Sequence, residues 1–264
     1  ERRAELSRAL EKDQFVLHYQ PIVELDSGRP IAVEALLRWN HPRDGLLLPD
    51  AFLAELEESD LLLPLGPWVL RTACAEIAAL RIETGVPVAV SVNVSSRQLI
   101  AGDVGGAVRT ALAGSGLPPD ALIVELTESG TSIDAEAVAG RLRALKRLGI
   151  NLALDDFGTG CASFGQLRGL SIDLLKVDRS FIGDLGADSQ ATRLAEALIG
   201  IGDRLGIPVV AEGVETALQR AALARLGCRL VQGSSFSRAL PLDELRALLL
   251  REAGDRAGAG LGAA

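Results

Sequence analysis

An α/β barrel of eight strands, modified by one antiparallel strand from an N-terminal hairpin, is the fold this sequence predicts. Three observations predict it. The chain has 264 residues, a length typical of a single (β/α)8 barrel. From residue 86 onward, short apolar strands alternate with helical segments, the pattern of a parallel sheet covered by helices. Counting the opening hairpin, the strands number eight, enough to close a barrel whose interior side chains can fill. The alternative is an open doubly wound sheet, but no G-x-G-x-x-G follows an early strand to favour it.

Residues 1–13 carry the charge pattern of a short leading helix. FVLHYQPIVEL (15–25) and PIAVEALLRW (30–39) read as strands joined by the turn DSGR. That connection is too short for a crossover helix, so the two strands pair antiparallel. Helical spacing then runs over 51–59 and over 67–85, where Gly85 ends it. The remaining strands are expected at 86–94, 121–128, 150–156, 173–178, 208–214 and 229–233, with helices such as 135–149 and 190–206 between them. Residues 1–252 form one domain in this reading, and the Gly/Ala-rich stretch 253–264 is a flexible tail.

Composition excludes several classes. Hydrophobic residues are 48% and charged residues 23%, so a disordered or fibrous chain is ruled out. Aromatics are only 3%, so the core is aliphatic. With 27 Lys and Arg against 35 Asp and Glu, the net charge of −8 disfavours binding to duplex nucleic acid, which needs a basic face. Cys74, Cys161 and Cys228 are odd in number and lack C-x-x-C spacing, so neither a disulfide framework nor a thiolate metal site is expected. Unpaired thiols fit a reducing compartment, and no run of 18 apolar residues is present; a cytoplasmic location is expected, within a full-length protein that could itself be membrane-anchored. A chain that opens on Glu1 and has no methionine is expected to be an excised domain or a processed fragment.

Polar residues interrupt these strands at particular places. Glu34, Asn93, Glu125, Asp155, Asp156, Lys176, Glu212 and Gln232 lie in or just after apolar runs, mostly toward strand C-termini. In a barrel of this kind those ends share one rim, where active sites form. A single carboxylate ending a strand is ordinarily a helix cap. Five carboxylates converging on one rim repel, and Arg38 and Lys176 are the few cations there to offset them. Bound divalent metal is the simplest compensation. Oxygen donors without His or Cys indicate a hard ion, Mg²⁺ or Mn²⁺. Asp155 and Asp156 can serve two ions only if the strand kinks there, for which Gly158 and Gly160 provide the means. His18 and His41 share no ligand spacing and are expected to be structural; GTG at 158–160 reads as a turn, and Cys161 beside it as an inert loop thiol.

The sequence resembles the EAL family of cyclic di-GMP phosphodiesterases. Glu34-Ala35-Leu36 matches the signature tripeptide, and YQPIVEL (19–25), SVNVS (91–95), ELTES (125–129), DDFGTG (155–160), LLKVDRSF (174–181), AEGVE (211–215) and QG (232–233) match further blocks in family order. The resemblance runs from about Phe15 to Leu245. It implies a modified TIM barrel and metal-dependent hydrolysis of cyclic di-GMP to linear 5'-pGpG, with Mg²⁺ or Mn²⁺, two ions in all. It further implies that Glu34, Asn93, Glu125 and Asp155 hold one ion, and that Asp155, Asp156 and Glu212 hold the other. Lys176, Glu212 and Glu34 are the implied catalytic residues, Lys176 acting beside the nucleophilic water. Gln20, Arg38 and Gln232 would contact substrate or its water; Glu128, Asp178 and Glu215 would support the surrounding loops. A homodimer and attachment to sensor or cyclase domains are also implied. The alternative within the resemblance is a receptor that binds cyclic di-GMP with weak or no turnover. The chain departs from the family pattern at Asp60, Cys161, Ala162, Ser234 and Ala239, none of them an implied ligand.

Overall fold

The computed structural model describes residues 2–127, 135–160, 170–186 and 188–261, without the side chains of 2–4, 135 and 255–261. The strands are β1 (Phe15–Glu24), β2 (Pro30–His41), β3 (Gly45–Leu47), β4 (Ala89–Asn93) and β5 (Leu122–Thr127). After them come β6 (Asn151–Phe157), β7 (Leu174–Val177), β8 (Val209–Ala211), β9 (Leu230–Gln232) and β10 (Leu240–Pro241). Eight of them close a ring in the order β1-β2-β4-β5-β6-β7-β8-β9 and back to β1. β1 is antiparallel to both its neighbours, and every other pair in the ring is parallel. The modified barrel expected from the opening hairpin is therefore the observed fold. The short strands β3 and β10 lie outside the ring, on β2 and β1 respectively.

The strands are shorter than the apolar runs that revealed them, for reasons of backbone chemistry. Pro87 and Pro208 have no N–H for a ladder, so β4 and β8 begin beyond them. Gly213, at φ +66, turns the chain after β8 and leaves Glu212 one residue past the strand.

The helices are α1 (Arg2–Glu11), α2 (Leu53–Glu57), α3 (Leu62–Thr84), α4 (Ser96–Ala101), α5 (Val104–Ser115), α6 (Ala135–Lys146), α7 (Ser189–Leu205), α8 (Ala217–Arg225) and α9 (Leu242–Leu261). α3 starts five residues before the expected Pro67. Its first turns are fixed from outside: Leu62 and Leu65 are buried, and the Gln98 side chain donates to the Leu62 carbonyl at 3.0 Å. The backbone of α9 is helical through Leu261 and so enters the segment expected as a tail. Among the described residues no helix is long and apolar enough to cross a membrane.

Among the described residues the buried apolar side chains form three cores. The largest fills the space between the sheet and the surrounding helices, with Leu70, Ile77, Val90, Leu152, Val177 and Leu223 among its members. A second, at the β2–β3 end, packs Leu6, Phe15, Trp39, Phe52 and Leu56 together; the Trp39 ring meets Phe52 edge-on at 5.8 Å and His41 at 4.8 Å. His41 is thus a structural residue, its ring also paired with Asp44 at 2.8 Å. The third core lies inside the barrel: Ile22, Ala32, Ile123, Ala153 and Val210, joined by Ala89, Leu174 and Leu230. These eight residues come one from each ring strand, so the barrel interior is closed by an apolar floor. Cys74 and Cys228 are buried free thiols, and burial pushes them up to about 12 and about 11.

The helix α3 separates core from surface contributions cleanly. Ile77 is fully buried, whereas Ile82 on the same helix is 86% exposed. Ile77→Ala is expected to cost about 2–5 kcal/mol through lost packing and the cavity left behind. Ile82→Ala should change stability by no more than about 0.5 kcal/mol. Equilibrium urea unfolding of the two variants measures both.

Candidate active site

Side chains alternate faces every second residue along a strand, so the floor fixes what lies above it. Two residues toward the rim from Ala32, Ala89, Ile123, Ala153, Leu174, Val210 and Leu230 stand Glu34, Ser91, Glu125, Asp155, Lys176, Glu212 and Gln232. On the antiparallel β1 the same step from Ile22 runs backward, to Gln20, which pairs directly with Glu34. An apolar layer is therefore capped by a layer with one polar residue from each strand. Glu34 falls in mid-strand because β2 continues beyond the rim to His41.

Lys176 is the centre of this layer. Its ammonium lies 2.7 Å from Glu212, 2.8 Å from Glu125, 3.1 Å from Glu34 and 3.4 Å from Asp155. Lys176, Glu34, Glu125 and Asp155 are buried. Burial opposes the charge on Lys176, but the attraction of Glu125, Glu34, Glu212 and Asp155 holds its pKa well above the ordinary value. The carboxylates divide. Burial works to raise Glu34, yet the Lys176 charge and hydrogen bonds from Gln232, Lys176 and Asn93 bring it below the ordinary value. Burial, with the like charges of Glu34 and Asp155, pushes Glu125 up to about 8 against the pull of Lys176. Glu212 is pushed up to about 7, by burial first and then by Asp155 and Glu34. Asp155 is raised as well, chiefly by burial. One ammonium thus does not fully compensate the acidic groups gathered around it.

Amides and a hydroxyl orient these carboxylates. Asn93 Nδ2 donates to Glu34 Oε1 at 2.7 Å, and Gln232 Nε2 donates to Glu34 Oε2 at 2.7 Å. Ser91 Oγ donates to Glu125 Oε1. Gln232 Nε2 also reaches Gln20 Oε1 at 3.4 Å, while Gln20 Nε2 donates to the Ser237 carbonyl at 3.2 Å. Gln232 Oε1 is buried and accepts no hydrogen bond among the described residues.

The kink required at the paired aspartates is present, and Asp156 itself makes it. Its φ is +55, a left-handed value that Asp tolerates better than most residues, and the β6–β7 register shifts between Leu154 and Phe157. Asp156 N–H turns back to Asp155 Oδ1 at 2.9 Å, and Thr159 closes the following turn onto the Asp156 carbonyl at 3.1 Å. GTG at 158–160 is accordingly a turn. As a result Asp155, Asp156 and Glu212 each bring a carboxylate oxygen within 4.8 Å of the others. This all-oxygen set, with its surplus of negative charge, fits a hard divalent cation such as Mg²⁺ or Mn²⁺.

The remaining expected residues are distributed around this centre. Arg38 is buried four residues along β2 from Glu34, and its Nη1 donates to the Leu37 carbonyl at 2.8 Å. The Asp178 carboxylate accepts from Ser180 N–H at 2.9 Å, fixing the turn after β7; Asp156 is raised by burial first, then by the charges of Asp155 and Asp178. Glu215 is exposed at the end of the β8 loop, where its backbone N–H donates to Gln219 Oε1 at 2.7 Å. Glu128, Cys161 and Ala162 lie outside the described residues. Ser91 and Gln219 were not among the expected residues. Ser91 stands two residues beyond the floor position Ala89, a relation that only the structure reveals. Beside the polar layer, a cavity of about 570 Å³ is bounded by Leu36, Leu53, Leu62, Asn93, Arg97 and Thr127.

Comparison with known proteins places this geometry among relatives. The EAL domain family model matches residues 3–239. The chain is 42% identical over 245 residues to the cyclic di-GMP phosphodiesterase NbdA of Pseudomonas aeruginosa, covering 93% of this chain and 31% of that protein. It is 40% identical over 243 residues to the bifunctional diguanylate cyclase/cyclic di-GMP phosphodiesterase MucR of the same organism, covering 92% of this chain and 36% of MucR. The chain therefore spans about a third of the length of these relatives. The solved structure of the PaMucR phosphodiesterase in complex with c-di-GMP superposes with a TM-score of 0.89 at 40% identity, over 92% of this chain and 99% of that one.

The Lys176 cluster makes a stability prediction that needs no substrate. Lys176→Met removes the ammonium and leaves its carboxylates uncompensated, which should cost about 3–5 kcal/mol in the presence of a chelator. Added Mn²⁺ should restore part of the loss. Urea unfolding with and without Mn²⁺ measures both effects, and an unchanged midpoint in chelator would contradict the ionic cluster.

Proposed function

The chain belongs to the EAL domain family, and we propose that it is a metal-dependent phosphodiesterase that hydrolyses cyclic di-GMP to linear 5'-pGpG. One observation carries this reading. Glu34, Glu125, Asp155 and Glu212 converge on one layer of the barrel, around Lys176, and Asp156 joins Asp155 and Glu212 in an oxygen cluster beside it. Glu34, Asn93, Glu125 and Asp155 would hold one ion, and Asp155, Asp156 and Glu212 the other. When bound, such ions supply Lewis-acid neutralisation of a phosphodiester and lower the pKa of water.

The chain's own residues account for the rest. Lys176 stays an ammonium and keeps a fixed positive charge beside the carboxylates, favouring the negative charge that builds on phosphoryl oxygens in the transition state. Gln232 Nε2 holds Glu34 in place, while its Oε1 is positioned to accept a hydrogen bond from the attacking water and so orient it. Attack on phosphorus breaks the P–O3' bond, leaving a 5'-phosphate and a 3'-hydroxyl. Gln20, tied to Gln232, and Arg38, above Glu34, line the path of the substrate. The neighbouring cavity has the size and apolar lining to take a base. Within a longer cytoplasmic signalling protein, the chain would act as a homodimeric output module attached to sensor or cyclase domains.

Incubation with cyclic di-GMP and Mg²⁺ or Mn²⁺, followed by chromatography, should yield pGpG. Chelator should abolish it, and Glu34→Ala should reduce it at least about a hundredfold. Tight binding of intact cyclic di-GMP without pGpG would replace this reading with that of a receptor.

A further inference from the structure

The loop after β8 carries Glu212, and it is held in an unusual way. β7 and β8 pair at Leu175–Val209, Lys176–Val210 and Val177–Ala211, and Glu212 N–H adds a last rung to the Val177 carbonyl at 3.1 Å. Beyond that rung the two chains separate. The β7 side continues through Asp178 into a short turn and reaches Ile182 and Gly183; the β8 side turns at Gly213 toward Glu215 and Thr216. Gly213 lies directly against Arg179, where a Cβ would come within 2.5 Å of the Arg179 Cβ. The two loops are thus stacked, and their spacing decides where the Glu212 carboxylate stands relative to Lys176 and Asp155.

Gln219 spans them. It is buried in the first turn of α8, with Thr216 as the N-cap residue. A capping box asks of this position only that its side chain accept from the N-cap N–H. Gln219 Oε1 does accept from Thr216 N–H at 2.8 Å, but it also accepts from Glu215 N–H at 2.7 Å. Its Nε2 crosses to the other loop, donating to the Ile182 and Gly183 carbonyls at 3.1 and 3.0 Å. Both amide donors and both acceptor sites are used, two on each loop. Gln98 repeats the device in α4: it closes a capping box with Ser95, and its amide crosses to the Leu62 carbonyl on α3.

We propose that Gln219 is a positioning residue for divalent-ion binding and catalysis: by clamping the β7 and β8 loops together, it fixes Glu212 against Asp155 and Asp156. This deepens the phosphodiesterase reading and rests on it. Hydrogen-bond partners that orient metal ligands typically contribute 10–100-fold to metal affinity or activity, and a clamp on the ligand's loop acts in the same sense at one remove.

The test is titration of the chelator-stripped protein with Mn²⁺ alone, beside thermal unfolding and cyclic di-GMP turnover. Gln219→Met keeps the volume and removes both arms of the clamp; Gln219→Glu keeps the acceptor arm and loses the donor arm. The Met variant should bind Mn²⁺ about tenfold or more weakly and turn over correspondingly slowly while still folded, with the Glu variant between it and the wild type. Wild-type Mn²⁺ affinity in a folded Gln219→Met would overturn the proposal. If the Met variant does not fold, the Glu variant decides by the same criterion, and failure of both to fold would overturn it in favour of a purely structural role. Absence of Mn²⁺ binding or turnover in the wild type is a separate result, which would remove the phosphodiesterase reading itself.

Discussion

A single ammonium stands among four carboxylates at the mouth of this barrel, and the rest of the structure is arranged around that fact. Lys176 contacts Glu34, Glu125, Asp155 and Glu212, which come from β2, β5, β6 and the loop after β8. Burying such charges unpaired is costly, and one positive charge offsets only part of four negative ones. Burial first, and then the like charges of the group, raise Glu125, Glu212 and Asp155. A site with a standing surplus of negative charge, built from oxygen donors, is poised to take divalent cations. Bound cations would reverse the local sign of such a site.

The barrel makes this concentration possible through register. Parallel pairing places Asn93 beside Glu125 and Thr127 beside Asp155, and antiparallel pairing places Gln20 opposite Glu34. Two residues below each member of the polar layer is an apolar one, so the charged layer rests on a closed floor. A one-residue slip in any strand would exchange the two layers on that strand. Asp156 is the exception to this regularity. It joins Asp155 only because the chain leaves strand geometry at that residue, and loops then take over from strands as the positioning elements.

Much of this was legible in the sequence because it depends on alternation and spacing. Strands rich in Val, Ile and Leu gave the barrel, and the short DSGR turn gave its antiparallel strand. Acidic residues interrupting apolar runs gave the carboxylates that gather around Lys176. The need for a kink at Asp155-Asp156 was legible, and Gly158 does take a positive φ, of +102; what was not legible is that Asp156 itself would adopt one, at +55. Ser91 was hidden by its ordinariness in VAVSVNV, and only the three-dimensional floor distinguishes its face. Gln219 was beyond reach, because its importance lies in carbonyls at Ile182 and Gly183, which no pattern within α8 reveals. β3 and β10 were missed because two or three residues carry too little periodicity to register.

The central claim is that the acidic layer around Lys176 is a site for divalent cations. Anomalous diffraction from crystals grown with Mn²⁺ tests it most directly. The account predicts peaks in contact with carboxylates of this layer, one between Glu34, Glu125 and Asp155 and one between Asp155, Asp156 and Glu212. Crystals with no manganese at these carboxylates, at concentrations that saturate the protein in solution, would contradict it.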